Sequence, residues 1–399
     1  MNQDRDARKV WKAFMLALFS TYTYGTQTTI GEGEHLKNPS MYNITNYFTQ
    51  YYVPNNMAIC IAGDIAYDQT IALVDKYFGG YKSRPLPEWK VTKEAPIKEV
   101  QRREVFGLEA ENLMMGYRLP GSSNKDIITA RLVASLLYNG QAGLIDLDLN
   151  QQQKVQSAWS NLYELKDYGV LYLGATPREG QTLEQCEALL LDQIKKIQTG
   201  NFDDFLIKAC INDMRLARTK SFETNQGRAN AFVSSFILGK PWDVYLKEYD
   251  QMEKLTKQDI MQFANTYLQD NSYVIVYKRQ GPDNSVQKVE KPGITPVEAN
   301  RENESAFLKQ FMQIPSASTK PEFVDFASKI QQSNLASGVE FNYIKNELND
   351  IFELYYILNM GSDNDKVLSL AVEYLPLLGT EKYSAAELQQ EFFKYGLSF

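Results

Sequence analysis

The sequence predicts an α+β chain in which one kind of domain recurs, with the first and last copies incomplete. Apolar residues recur at spacings of three and four in some stretches and form short apolar blocks in others, so helices and strands alternate. Ser40–Ile61 aligns without gaps on Thr256–Tyr277, placing Ser40 on Thr256, Ile44 on Ile260, Tyr51 on Tyr267, Asn55 on Asn271 and Ile59 on Ile275. Leu113–Leu137 similarly echoes Glu353–Leu377, with Gly121-Ser122 on Gly361-Ser362 and Asn124 on Asn364. The first echo means that units one and two end alike, and the second that units two and three begin alike. One repeat frame satisfies both.

The elements follow in order. Val10, Trp11, Phe14, Met15 and Leu18 share one face of a helix over Asp6–Phe19. A Gly- and Thr-rich loop, Tyr22–Asn38, leads to Ser40, an N-cap residue, and to a second helix with Met41, Ile44, Phe48 and Tyr51 on one stripe. Pro54-Asn55-Asn56 ends it, Met57–Ala62 reads as a short, mostly apolar strand, and a helix with Ile71, Val74 and Phe78 stops at Gly79-Gly80. Strands are expected at Arg103–Phe106, Asn112–Leu119, Val155–Leu162, Val170–Ala175 and Tyr273–Tyr277. Helices are expected at Asp126–Tyr138 and Leu183–Ile197, with long helical material from Phe202 to Leu268. Gly281–Lys320, interrupted by Pro282, Pro292, Pro296 and Pro315, reads as a linker with one short helix at Glu302–Met312. The expected division is 1–81 as the C-terminal part of a first domain, 82–98 as a linker, 99–281 as a complete second domain, 282–320 as an interdomain linker, and 321–399 as the N-terminal part of a third.

Bulk properties exclude several classes of function. Of 399 residues, 44% are hydrophobic and 23% charged, enough apolar material for several cores. The formal net charge is -7 with no basic stripe, which argues against nucleic acid and anionic membrane surfaces as partners. No apolar run approaches the roughly 18 residues of a membrane span. The polar start, Met1 to Val10, lacks the apolar centre of a signal peptide.

The count that bears most on chemistry is histidine: there is one, His35. A catalytic zinc takes three protein ligands, mostly imidazoles with a carboxylate, and such a site cannot be assembled here. Cys60, Cys186 and Cys210 are dispersed without a C-x-x-C motif and read as small core residues. Gly31-Glu32-Gly33-Glu34-His35 reads as a solvated loop rather than a metal site, and Gly31-x-Gly33 does not continue into a dinucleotide fingerprint. Asp146 and Asp148 lack the rest of a calcium loop and are expected on the exposed side of a helix, with Leu144 and Leu147 buried.

The order Tyr24-Gly25, Ile30-Gly31, Leu36-Lys37-Asn38, a helix, Tyr51-Tyr52-Val53-Pro54-Asn55, Gly63-Asp64 and Tyr77-Phe78-Gly79 resembles the insulinase–pitrilysin family of zinc metallopeptidases. The resemblance is strong over Asp6–Gly80 and looser beyond. It implies repeated metallopeptidase-like α+β domains with mostly antiparallel sheets flanked by helices, paired into halves that close around a peptide chamber. In the family an inverted motif, His-x-x-Glu-His, and a distant Glu hold zinc, and the motif Glu is the general base for the zinc-bound water. None of these residues can be placed on this sequence, and the substrate-pairing edge strand and the late Arg and Tyr of the family find no counterpart either. Residue by residue, the resemblance therefore transfers no catalytic or metal residue and leaves the substrate-binding residues unknown.

The expectation is a non-catalytic fragment of a zinc-dependent endopeptidase that contributes chamber walls, with zinc a cofactor of the parent and not of this chain. The resemblance implies a peptide or unfolded polypeptide as the parent's substrate, a second metallopeptidase chain as a candidate partner, and the periplasm or cell envelope of a bacterium as the compartment. Two other readings are a motif-less, peptide-binding partner subunit and an unrelated α+β binding module. The Val10–Leu18 face and Met57–Ala62 are expected to lack packing partners, leaving about Glu99–Gly281 as the self-sufficient core.

Overall fold

The computed structural model describes residues 5–32, 35, 37, 39–284, 293, 296, 302–316, 318 and 320–398. Within the linker expected at 282–320, residues 285–292, 294, 295, 297–301, 317 and 319 lie outside the described residues, as does the Gly33-Glu34 pair. The chain divides into two compact units, one of residues 1–289 with 362–399 and one of 290–361.

In the first unit, helices α1 (Asp6–Leu18), α2 (Thr23–Thr26), α3 (Met41–Tyr51) and α4 (Tyr67–Phe78) precede a five-stranded sheet. Its strands are β1 (Gln101–Gly107), β2 (Asn112–Pro120), β3 (Ser157–Glu164), β4 (Tyr168–Thr176) and β5 (Val274–Gln280). They lie in the order β1-β5-β2-β4-β3. All pairings are antiparallel except β1 with β5. Between strands run α5 (Asp126–Leu137), α6 (Leu183–Thr199), α7 (Phe205–Phe222), α8 (Asn225–Ile237), α9 (Trp242–Leu246), α10 (Glu248–Met252) and α11 (Lys257–Tyr267). The second unit holds α12 (Ala306–Met312), α13 (Phe326–Lys329) and a hairpin of β6 (Gln331–Asn334) with β7 (Glu340–Tyr343). Helices α14 (Lys366–Tyr374) and α15 (Ala385–Lys394) return to the first unit. Among the described residues no helix is long and apolar enough to cross a membrane.

The α+β class and the mostly antiparallel sheet are as expected. The central strands are apolar on both sides because each face is covered. Leu113, Met115, Tyr117, Leu171, Leu173, Ile275 and Tyr277 face a helical layer that includes Ile127, Leu136, Leu190, Ile194, Ile260 and Phe263. The alternate positions Val170, Val274 and Val276 face α1 through Val10, Phe14, Met15 and Leu18. The α1 stripe thus does not lack a partner: it packs on the outer face of this sheet, and Phe14 is fully buried. Gly116 allows the approach, since a Cβ there would lie 2.7 Å from the Phe14 ring and 2.7 Å from the Leu171 carbonyl oxygen.

One expected strand is absent. Met57–Ala62 forms no ladder, and Met57, Ile59 and Ile61 are exposed. In the matching copy, β5 is hydrogen-bonded by β1 on one side and β2 on the other. No described strand takes those places beside 57–62, and an apolar run without a ladder partner leaves its backbone groups to water. The second echo behaves alike: β2 and α5 have α14 as the helical counterpart, but 353–358 forms no strand. The helical halves of the first echo do agree, since Ser40 and Thr256 both cap their helices through the N–H three residues on.

Candidate functional site

His35 is exposed. Its neighbour Glu32 pairs with Lys12 at 2.6 Å, and Glu34 lies outside the described residues. Among the described residues no group of three His, Cys, Asp or Glu side chains is placed to hold a metal ion. The cysteines form no disulfide. Cys186 and Cys210 are buried, and burial pushes their thiols up to about 11 and about 12. Cys60 is only half-buried, contrary to the core position expected, because the strand that should carry it does not form.

Asp146 corrects another expectation. It is buried, not solvent-facing, and Leu144 and Leu147 are only partly covered. Its Oδ2 accepts hydrogen bonds from the N–H groups of Asn139 (3.0 Å), Gly140 (3.1 Å) and Gly143 (3.0 Å). Burial raises its carboxyl to about 6 despite those donors. Its work is to tie the turn after α5, and Gly140 has a positive φ of 84° there.

A concavity of about 550 Å³ lies between α5, β3, α7 and α8, with Tyr245 of α9 and Tyr249 of α10 in its lining. Arg131 from α5 donates to Glu164 at the end of β3 (2.6 Å) and to Glu248 at the start of α10 (2.8 Å). Lys240 donates to the same two carboxylates, to Glu248 at 2.7 Å. Burial acts to raise the Glu248 carboxyl, but Arg131 and Lys240 hold it below its ordinary value. Burial likewise acts against the Arg131 charge, and the two carboxylates more than reverse this. The quartet is a satisfied buried network that joins α5, β3, α10 and the α8–α9 turn. None of these four residues was singled out from sequence. The one signal was a charged residue in the apolar run of α5, Ile127 to Leu137.

A second buried carboxylate, Glu187 on α6, accepts from both Arg102 terminal nitrogens (2.7 and 2.8 Å) and from the hydroxyls of Tyr273 (2.5 Å) and Tyr277. It locks α6 onto β1 and β5. Neither network pairs a nucleophile with a base, nor a carboxylate with an imidazole, so neither is arranged for hydrolysis.

Residues 40–214 match the family described as the peptidase M16 inactive domain. Among relatives, a zinc protease PqqE of Helicobacter pylori is 24% identical over 264 residues, covering 63% of this chain and 57% of that protein. A crystal structure of a protease from Helicobacter pylori superposes with a TM-score of 0.64 at 18% identity, covering 69% of this chain and 68% of the other. The periplasmic protease PqqL of Escherichia coli superposes with a TM-score of 0.55 at 12% identity, covering 97% of this chain and 46% of that one. The chain thus spans little more than half the length of its zinc-protease relative. The insulinase–pitrilysin resemblance is borne out by these matches: residues 40–214 are similar to the inactive domain of M16 peptidases, and the relatives are zinc proteases.

Proposed function

We propose that this chain supplies non-catalytic wall and repeat structure to a zinc-dependent endopeptidase of the insulinase–pitrilysin type, whose substrate is a peptide or unfolded polypeptide. The observation that carries this reading is the conjunction of an M16 inactive-domain match with a single histidine in 399 residues. A His-x-x-Glu-His centre needs two imidazoles, so the zinc and the activated water must be held by residues that this chain does not contain. The description of PqqE as a zinc protease supports zinc in the larger assembly, and that of PqqL as periplasmic supports a bacterial envelope location. The expected division, with a second domain over 99–281 flanked by parts of two others, belongs to the same reading.

The test is metal analysis and peptide hydrolysis by the purified chain. After equilibration with zinc and gel filtration, the chain is expected to retain less than stoichiometric metal and to leave a quenched fluorescent peptide uncut. Cleavage abolished by a chelator and restored by zinc would overturn the reading.

A further inference from the structure

The cleft between α5, β3, α7 and α8 contains a cation that its ionic quartet does not use. Arg131 and Lys240 are balanced by Glu164 and Glu248. Arg218, on α7 in the same wall, is not balanced. Its guanidinium lies 4.1 Å from the centre of the Tyr249 ring, and its Nη1 reaches the Tyr245 carbonyl only at 3.4 Å. Among the described residues, no carboxylate forms an ion pair with it. A guanidinium held over an aromatic ring spends none of its N–H donors on that contact, so they stay available to a planar acceptor.

The second observation is Ser160. It is 6% exposed, lines the cleft, and its hydroxyl has no hydrogen-bond partner. A buried hydroxyl left unpaired is costly, and most such groups in folded proteins are satisfied. The wall also carries four aromatic side chains, Tyr138, Phe222, Tyr245 and Tyr249, among small and polar residues. The volume, about 550 Å³, falls in the range of small-ligand sites.

We propose that this cleft binds a ligand with an aromatic body ending in a carboxylate. The carboxylate pairs with Arg218, the body packs on the tyrosine and phenylalanine wall, and the Ser160 hydroxyl bonds a polar atom of the ligand. A free aromatic acid and the C-terminal residue of a peptide share this chemistry. The site goes beyond the peptidase reading, because it needs neither zinc nor any residue of the zinc motif.

The experiment titrates the whole chain at low ionic strength with three probes, N-acetylphenylalanine, its amide, and the peptide Ala-Ala-Ala-Phe with a free C-terminus, followed by ligand-observed NMR and calorimetry. The acid is expected to bind at least about ten-fold more tightly than the amide, as a charge-assisted pair requires. Arg218→Gln should erase that preference, Arg218→Lys should keep part of it, and Ser160→Ala should weaken both acid and amide with no loss of the melting transition. A tighter peptide identifies a peptide C-terminus as the ligand, and equal binding of peptide and acetylated residue identifies a small acid. Equal binding of acid and amide, an undiminished preference in Arg218→Gln, or no binding of any probe would overturn the proposal.

Discussion

The contact that decides whether α1 belongs to the sheet's cooperative unit is the buried pair of Asp6 and Lys278. Asp6 opens α1 and Lys278 lies on β5. The two meet at 2.8 Å with side chains 5% and 0% exposed. Lys278 also donates to the Glu109 and Ala110 carbonyls, and Asp6 accepts from the Glu109 N–H at 2.9 Å. The clasp leaves no room at Gly107, where a Cβ would lie 2.0 Å from the Asp6 carboxylate. Removing one partner strands the other charge in the interior, which costs about 3–5 kcal/mol, whereas replacing both by apolar groups of similar volume is close to neutral. Asp6→Asn and Lys278→Met should therefore each lower stability by about 3 kcal/mol, and the double variant should recover most of the loss, giving a coupling of at least about 2 kcal/mol. Burial acts to raise the Asp6 carboxyl, but Lys278, the Glu109 N–H and Lys9 together hold it below its ordinary value. A depressed carboxyl stabilises the fold above the ordinary aspartate range and ceases to do so as pH falls through its folded pKa. The gap between wild type and Asp6→Asn should accordingly close below about pH 4. Urea titration read by Trp11, which packs edge-on against Tyr163 and Tyr172 (centroids 5.4 and 5.6 Å apart), reports α1, and circular dichroism reports the whole. Additive single effects, or loss of the Trp11 signal well before the dichroism, would refute a shared core.

Two further outcomes follow. In the native chain one of the three thiols, Cys60, should react promptly with an aromatic disulfide reagent, while Cys186 and Cys210 react only after unfolding; fast modification of all three would contradict their burial. Asp146, raised to about 6, binds its proton more tightly folded than unfolded, so the stability it contributes is present at low pH and declines as pH rises from about 4 toward 6, on the order of 2–3 kcal/mol. Asp146→Asn should flatten that stretch of the stability profile, and a carboxyl carbon titrating at the ordinary aspartate value in NMR would show the expectation wrong.

Much of this fold was legible because its signals are local. The α1 stripe, the caps at Ser40 and Thr256 and the apolar blocks of β2, β4 and β5 are set by periodicity and capping, which a short window contains. What failed depended on partners distant in sequence. Met57–Ala62 has strand composition, but a strand is a ladder, and the composition does not say whether a neighbour is there to bond. The Asp146 turn was misread because a helix-facing aspartate and a solvated one look alike until the chain returns on itself. The cleft residues Arg131, Glu164 and Arg218 and the network partner Glu248 come from four separate elements, and no spacing rule joins them. The absence of a zinc-binding histidine pair was legible at once, because it is a count and not a geometry.

The two halves of the first echo separate what a pattern specifies from what it does not. Ile260, Phe263 and Ala264 on α11 are buried against α6 and α5, whereas their counterparts Ile44, Tyr47 and Phe48 on α3 are exposed; Ile260 is 0% and Ile44 50% accessible. The helices form in both places with the same capping residue types, so local propensity and amphipathicity suffice for the element. Burial differs because α11 meets a completed sheet through β2, whose hydrogen bonds with β4 and β5 close the ladder beneath it. An apolar stripe therefore states which face of a helix is suited to burial, and the sheet it finds determines whether that face is dry. For this chain the sheet of β1 to β5 carries a helical layer on one face and α1 on the other. Any reading that assigns α1 only to the preceding domain must account for the Asp6–Lys278 pair that fastens it here.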